Sequence, residues 1–135
     1  MTDPTIDRIY ETVVYGDDLE EMTRFYTDVL GLRLVEGPDA VVAAFRVGPG
    51  SVLLVFNPSQ SRVSGRAVPS HGAIGEGHIA FAVPDGTLGQ WRDRFGSLRV
   101  AIEQEVTWNG GSRSIYVRDP AGNSVELTEH ELWPE

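Results

Sequence analysis

The alternation of apolar and polar positions predicts two passes through the same order of elements, with residues 10–57 lying over residues 77–130 as an approximate repeat of about seventy positions. The stretch from Glu11 to Asp18 begins with a polar residue, runs through a short apolar strand and ends on an acid. His78 to Asp85 does the same. The halves also end alike, Ser51 to Asn57 lying over Ser124 to His130, which sets Leu53 against Glu126.

After the first strand a helix is expected. Asp18 supplies its cap, Glu21 completes a capping-box spacing, and Leu19, Met22, Tyr26, Val29 and Leu30 form one apolar stripe that stops at Gly31. Strands are predicted at 32–36, 40–47 and 51–56, divided by Gly37-Pro38-Asp39 and Gly48-Pro49-Gly50. That order is β-α-β-β-β. The second half repeats it with a strand at 78–83, a helix at 87–95 stopped by Gly96, and strands at 98–102, 105–108 with 112–118, and 124–128. The chain therefore reads as a single α+β domain over 1–135, with modules at 6–57 and 77–130, a linker loop rich in Ser, Gly, Arg and Pro at 58–76, and a tail at 131–135.

Asp119 to Asn123 carries the Pro and Gly of a tight turn into the last strand. Period-two alternation then sends Val125 and Leu127 to the helices and Ser124, Glu126 and Thr128 to a second, concave face. By the same rule Ile79, Phe81 and Val83 pack inward, while His78, Ala80 and Ala82 share the concave side. Alanines beside a histidine leave room for a ligand.

Two segments, Asp17-Asp18-Leu19 with Phe25 to Leu32, and Tyr116 to Leu127 through Asp119-Pro120, resemble the vicinal oxygen chelate superfamily, which includes glyoxalase I, extradiol dioxygenases and bleomycin-resistance proteins. The resemblance covers nearly the whole chain. It implies two βαβββ modules whose sheets curl into a half-barrel, with ligands for a metal ion at the start of the first strand and on the last strand of each module. Those positions fall on Glu11, His78 and Glu126; the fourth falls on Leu53, which has no donor atom. The resemblance also implies a homodimer, for which the apolar tail Leu132-Trp133-Pro134 is a candidate contact.

Two carboxylates and one neutral imidazole balance the charge of one divalent ion (Fe, Mn, Zn, Ni or Mg) and leave positions open for a chelating substrate. Such a site is a Lewis acid, and a carboxylate released from it, Glu11 or Glu126, is a candidate base. Arg113 is a candidate anchor for a substrate carboxylate, Trp108 and Tyr116 are candidate pocket walls, and His71 is a candidate contact from the linker. The function expected is metal-dependent lyase/isomerase or dioxygenase chemistry on a small oxygen-chelating molecule. The alternative is non-enzymatic sequestration of a ligand, as in the bleomycin-resistance members.

Composition narrows the chemistry further. There is no cysteine, which removes disulfides, thiolate metal sites and thiol nucleophiles, and all eleven basic residues are arginine, which removes Schiff-base chemistry. A net charge of −9 opposes binding to nucleic acid or an anionic membrane. No apolar run approaches the ~20 residues of a membrane span, and the first residues lack a signal-peptide pattern, so a cytoplasmic protein is expected.

Overall fold

A computed structural model describes residues 2–135. The first module runs β1 (Glu11–Tyr15), α1 (Leu19–Arg24) continued by a π-helical turn (Phe25–Val29), β2 (Arg33–Glu36), β3 (Val42–Arg46) and β4 (Val52–Phe56). A single helical turn, α2 (Pro58–Ser61), opens the linker. The second module runs β5 (His78–Ala82), α3 (Leu88–Ser97), β6 (Gln104–Thr107), β7 (Arg113–Arg118) and β8 (Ser124–Thr128). Among the described residues no helix is long and apolar enough to cross a membrane. The architecture is α+β, with two mixed sheets of the same topology, β1-β4-β3-β2 and β5-β8-β7-β6, in which only the first and last strands of each module run parallel.

Local chemistry accounts for the boundaries. Asp18 Oδ1 accepts from the Glu21 amide at 3.0 Å and starts α1 as its cap. Asn57 caps α2 in the same way, through the Ser59 amide, inside a segment expected to be loop. The helix α3 is longer than its sequence pattern suggests, because it continues through Gly96. Its end is closed by the Leu98 amide on the Arg94 carbonyl and the Val100 amide on the Phe95 carbonyl, with Arg99 in the left-handed region at φ +57°. Residues 98–102 are thus spent terminating the helix. The strand expected there does not form.

Both sheets turn their apolar faces to one shared core. Val14, Phe45, Leu53 and Val55 from the first sheet join Ile115, Val117, Val125 and Leu127 from the second, around Met22, Tyr26, Leu88 and Phe95 of the helices. Burying each of these larger side chains stabilises the fold by about 1.5–3 kcal/mol, more than an exposed ion pair contributes. The helices also touch directly: Arg94 on α3 donates to the carbonyls of Asp28 and Val29 at 2.8 and 2.7 Å. The opposite face of the second sheet carries Ser114, Tyr116 and Glu126, whereas that of the first carries Val13, Ala44, Leu54 and Phe56. Strands β1 and β5 are both sheet edges and are not paired with each other.

Candidate functional site

The register corrects the sequence alignment of the repeat by one position. Glu11 stands opposite Val52 and His78 opposite Ser124, so Val52 corresponds to Ser124 and Leu54, not Leu53, corresponds to Glu126. Leu53 is fully buried in the core, whereas Leu54 lies on the open face beside Val13. Neither has a donor atom, so the fourth position remains empty of a ligand.

On the open face of the second sheet, strand alternation brings His78, Ser114, Tyr116 and Glu126 together. Tyr116 and Ala80 are the direct cross-strand neighbours of Glu126, one on each side. The Glu126 carboxylate is 7% exposed and the His78 ring 52%, so the acid forms the floor and the imidazole the rim. Ser114 donates its hydroxyl to Glu126 Oε2 at 2.6 Å, and Trp108 donates its indole N–H to the same Ser114 oxygen at 2.9 Å. Glu126 Oε1 faces His78 Nε2 at 3.3 Å. The Tyr116 ring lies nearly parallel to that of His78, with centroids 6.3 Å apart. Burial, and then the charge of Glu126, push the Tyr116 phenol above its ordinary value, so it remains a protonated donor beside the acid.

The tautomer of His78 decides what this pair can hold. Its Nδ1 is 3.1 Å from the Ser124 carbonyl, an acceptor only, so Nδ1 carries the proton. In the neutral ring Nε2 then presents a lone pair to a carboxylate oxygen, an arrangement satisfied either by a second proton or by a cation. Two ligands of one ion, each bonded at about 2.0–2.2 Å, stand roughly 3.0–3.5 Å apart, which fits the Nε2–Oε1 separation. The backbone carbonyl on Nδ1 and the hydroxyl on Oε2 are outer partners of the type that orient metal ligands.

Glu11 does not join them within one chain. Among the described residues no group of three His, Cys, Asp or Glu side chains comes together to hold an ion. Glu11 is exposed on β1, the edge strand of the first sheet, whereas His78 and Glu126 lie on the second.

The remaining candidates divide. Trp108 and Tyr116 lie with Glu126. Arg113 points to the other face of β7, where its Nε and Nη2 both reach Glu129 Oε1 at 2.8 Å; this ion pair takes it away from the open face. His71 lies on the first sheet, with Nδ1 2.7 Å from the Tyr15 hydroxyl and its ring edge-on to Phe56. An open groove of about 750 Å³ between the modules, lined by Tyr15, Asn57, Arg62 and Glu76 among others, contains neither His78 nor Glu126. Ser114 was missed from the sequence. Its signal was a small polar residue at a position alternating with the buried Ile115 and Val117.

The model of the Glyoxalase/Bleomycin resistance protein/Dioxygenase superfamily matches residues 8–127. The chain belongs to this superfamily. A crystal structure of lactoylglutathione lyase from Agrobacterium tumefaciens is 40% identical, with a TM-score of 0.89, over 96% of this chain and 98% of that one. Biphenyl-2,3-diol 1,2-dioxygenase 3 of Rhodococcus globerulus is 33% identical over 122 residues, covering 89% of this chain. Lactoylglutathione lyase of Pseudomonas putida is 27% identical over 145 residues, covering 87% of this chain and 82% of its own. The chain spans 62% of the length of the Rhodococcus dioxygenase and 41% of a Bacillus subtilis relative.

Proposed function

We propose that this chain is a metal-dependent lyase or isomerase for a small substrate with neighbouring oxygens, with a site assembled between two copies: His78 and Glu126 from one, Glu11 from the other. The observation that carries the reading is His78, with Nδ1 committed to the Ser124 carbonyl, facing the free oxygen of Glu126 at 3.3 Å. Glu11 occupies the position on β1 that His78 occupies on β5, and both strands are unpaired edges. Val13, beside Glu11 on the open face, is 37% exposed, and Ile6, Ile9 and Tyr10 leading into β1 are more so. A second copy that brings β1 against β5 covers these residues and supplies the third ligand.

A divalent ion held there supplies Lewis acidity to a substrate carbonyl and to the negative charge that develops when an adjacent proton leaves. The residues of the chain divide the remaining work. Glu126, held at Oε2 by Ser114, binds and orients through Oε1. Glu11, exposed and on a strand edge, is the carboxylate free to take up and return the proton. The Tyr116 phenol donates toward the acid floor, and Trp108 walls the pocket. His71, with Nδ1 facing the Tyr15 hydroxyl on the first sheet's open face, contacts the distal part of the substrate.

Proton-transfer chemistry is preferred to ring cleavage because the 40% identical lyase matches along almost its whole length, whereas the dioxygenase relative extends well beyond this chain. The test is metal analysis of protein purified without chelators, followed by two assays on the loaded protein. The reading expects a stoichiometric ion lost in Glu126→Ala and turnover of a glutathione hemithioacetal. Oxygen uptake with catechols would move the assignment to the dioxygenases. Protein that takes up no ion but binds a ligand would make it a sequestration protein.

A further inference from the structure

Trp108 can only donate a hydrogen bond, and a carboxylate without a proton can only accept one. The Ser114 oxygen between them receives the indole N–H at 2.9 Å, so its own proton is directed to Glu126 Oε2 at 2.6 Å. Ser114 is 1% exposed and Glu126 5%, so no water competes for this proton. The relay runs one way, from Trp108 through Ser114 to Glu126. It occupies Oε2 and leaves Oε1 as the oxygen that faces His78. The Tyr116 hydroxyl also lies beside the carboxylate, on the neighbouring position of β7, but it has no indole N–H to direct its proton.

We infer that Ser114, oriented by Trp108, is a positioning residue that presents Glu126 as a one-oxygen ligand and thereby sets the affinity of the site for a divalent ion. This rests on the reading of His78 and Glu126 as metal ligands. The relay's directionality gives it consequences of its own. Ser114→Ala frees Oε2 and unlocks the carboxylate. Ser114→Thr keeps the hydroxyl on β7. Trp108→Phe keeps the ring but removes the donor, so the serine proton is no longer directed.

The experiment titrates the metal-free protein with Co²⁺ and reads both affinity and the visible absorption of the bound ion. Loss of an outer-shell partner costs about 10- to 100-fold in metal affinity. Ser114→Ala is therefore expected to bind Co²⁺ that much more weakly and with a changed visible spectrum, Trp108→Phe to show a smaller loss, and Ser114→Thr to stay close to wild type. The indole N–H resonance of Trp108, assigned with Trp108→Phe, shifts on Co²⁺ addition in wild type. An Ser114→Ala protein that keeps the wild-type fold by circular dichroism and binds Co²⁺ with wild-type affinity and spectrum overturns the inference alone. Should Ser114→Ala not fold, equal affinity and spectrum in Trp108→Phe overturns it. Wild-type protein that takes up no Co²⁺ overturns the metal reading, and this inference with it.

Discussion

Tyr26, on the π-helical turn of the first module, donates its hydroxyl to Asp119 Oδ2 in the second module, 93 positions on, at 2.7 Å. Asp119 is the centre of a buried network. Its Oδ1 accepts from the amides of Ala121 and Asn123, and its Oδ2 also accepts from the Asn123 side chain, which reaches back to the Tyr15 carbonyl on β1. Asn123 Oδ1 in turn takes the Gly77 amide. One turn thus locks the start of β5, the end of β1 and the first helix together, and so holds His78 in register with β8. Burial, with the adjacent Asp119 charge, raises the Tyr26 phenol far above its ordinary value, so it stays a donor throughout the working pH range.

Tyr26→Phe removes a hydrogen bond to a charged, buried acceptor. A loss of about 1.5–3 kcal/mol is expected. Urea unfolding of the variant should show a lower midpoint with an unchanged slope; an unchanged midpoint would remove Tyr26 from the network that joins the modules.

The register makes opposite forecasts for two adjacent leucines. Leu53→Glu puts a carboxylate into the shared core, at a cost of several kcal/mol, enough to unfold a domain of ordinary stability. Leu54→Glu places the same group on the partly exposed open face and is expected to fold. Circular dichroism of the two variants checks this, and a folded Leu53→Glu with an unfolded Leu54→Glu would restore the alignment read from sequence.

Glu129 lies below the ordinary glutamate value of 4.5, first through the Gly86 amide and then through Arg113. A depressed folded value means that this contribution to stability is complete above the unfolded value and disappears as the pH falls through the folded one. The stability gap between wild type and Glu129→Gln should accordingly be full at neutral pH and shrink below about pH 4.5. Urea midpoints measured from pH 7 down to pH 3 follow it; a gap that widens in acid contradicts the pairing.

Arg113→Ala tests the separation of the two faces of β7. Loss of the ion pair to Glu129 is expected to lower the urea midpoint while Co²⁺ uptake stays at the wild-type level, because Ser114 and Glu126 lie on the other face. A loss of metal uptake with an unchanged midpoint would return Arg113 to the site.

The repeat, the capped first helix and the alternation of β8 were legible because each depends on neighbours within a few positions. The capping bond of Asp18 to the Glu21 amide is one such feature, and the inward turn of Val125 and Leu127 is another. Register is different. Whether Leu53 or Leu54 matches Glu126 depends on which carbonyls of β1 meet β4, a long-range choice that a repeat with loop insertions does not encode locally. The helix end at Leu98–Val100 was hidden because Gly96 reads as a stop, while the left-handed residue that closes the helix is Arg99. Sequence periodicity says which face of a strand is apolar but not what that face packs against, so the core shared by the two modules was not legible either.

The most direct test of the central claim is a mixed dimer. Glu11→Ala and Glu126→Ala chains carrying different tags are co-expressed, and the mixed species is purified and its Co²⁺ content measured. A site built from Glu11 of one copy with His78 and Glu126 of the other predicts that neither variant alone binds Co²⁺ at the wild-type level, and that the mixed dimer holds one ion. A mixed dimer as empty as its parents, or Glu11→Ala protein loaded like wild type, would contradict it.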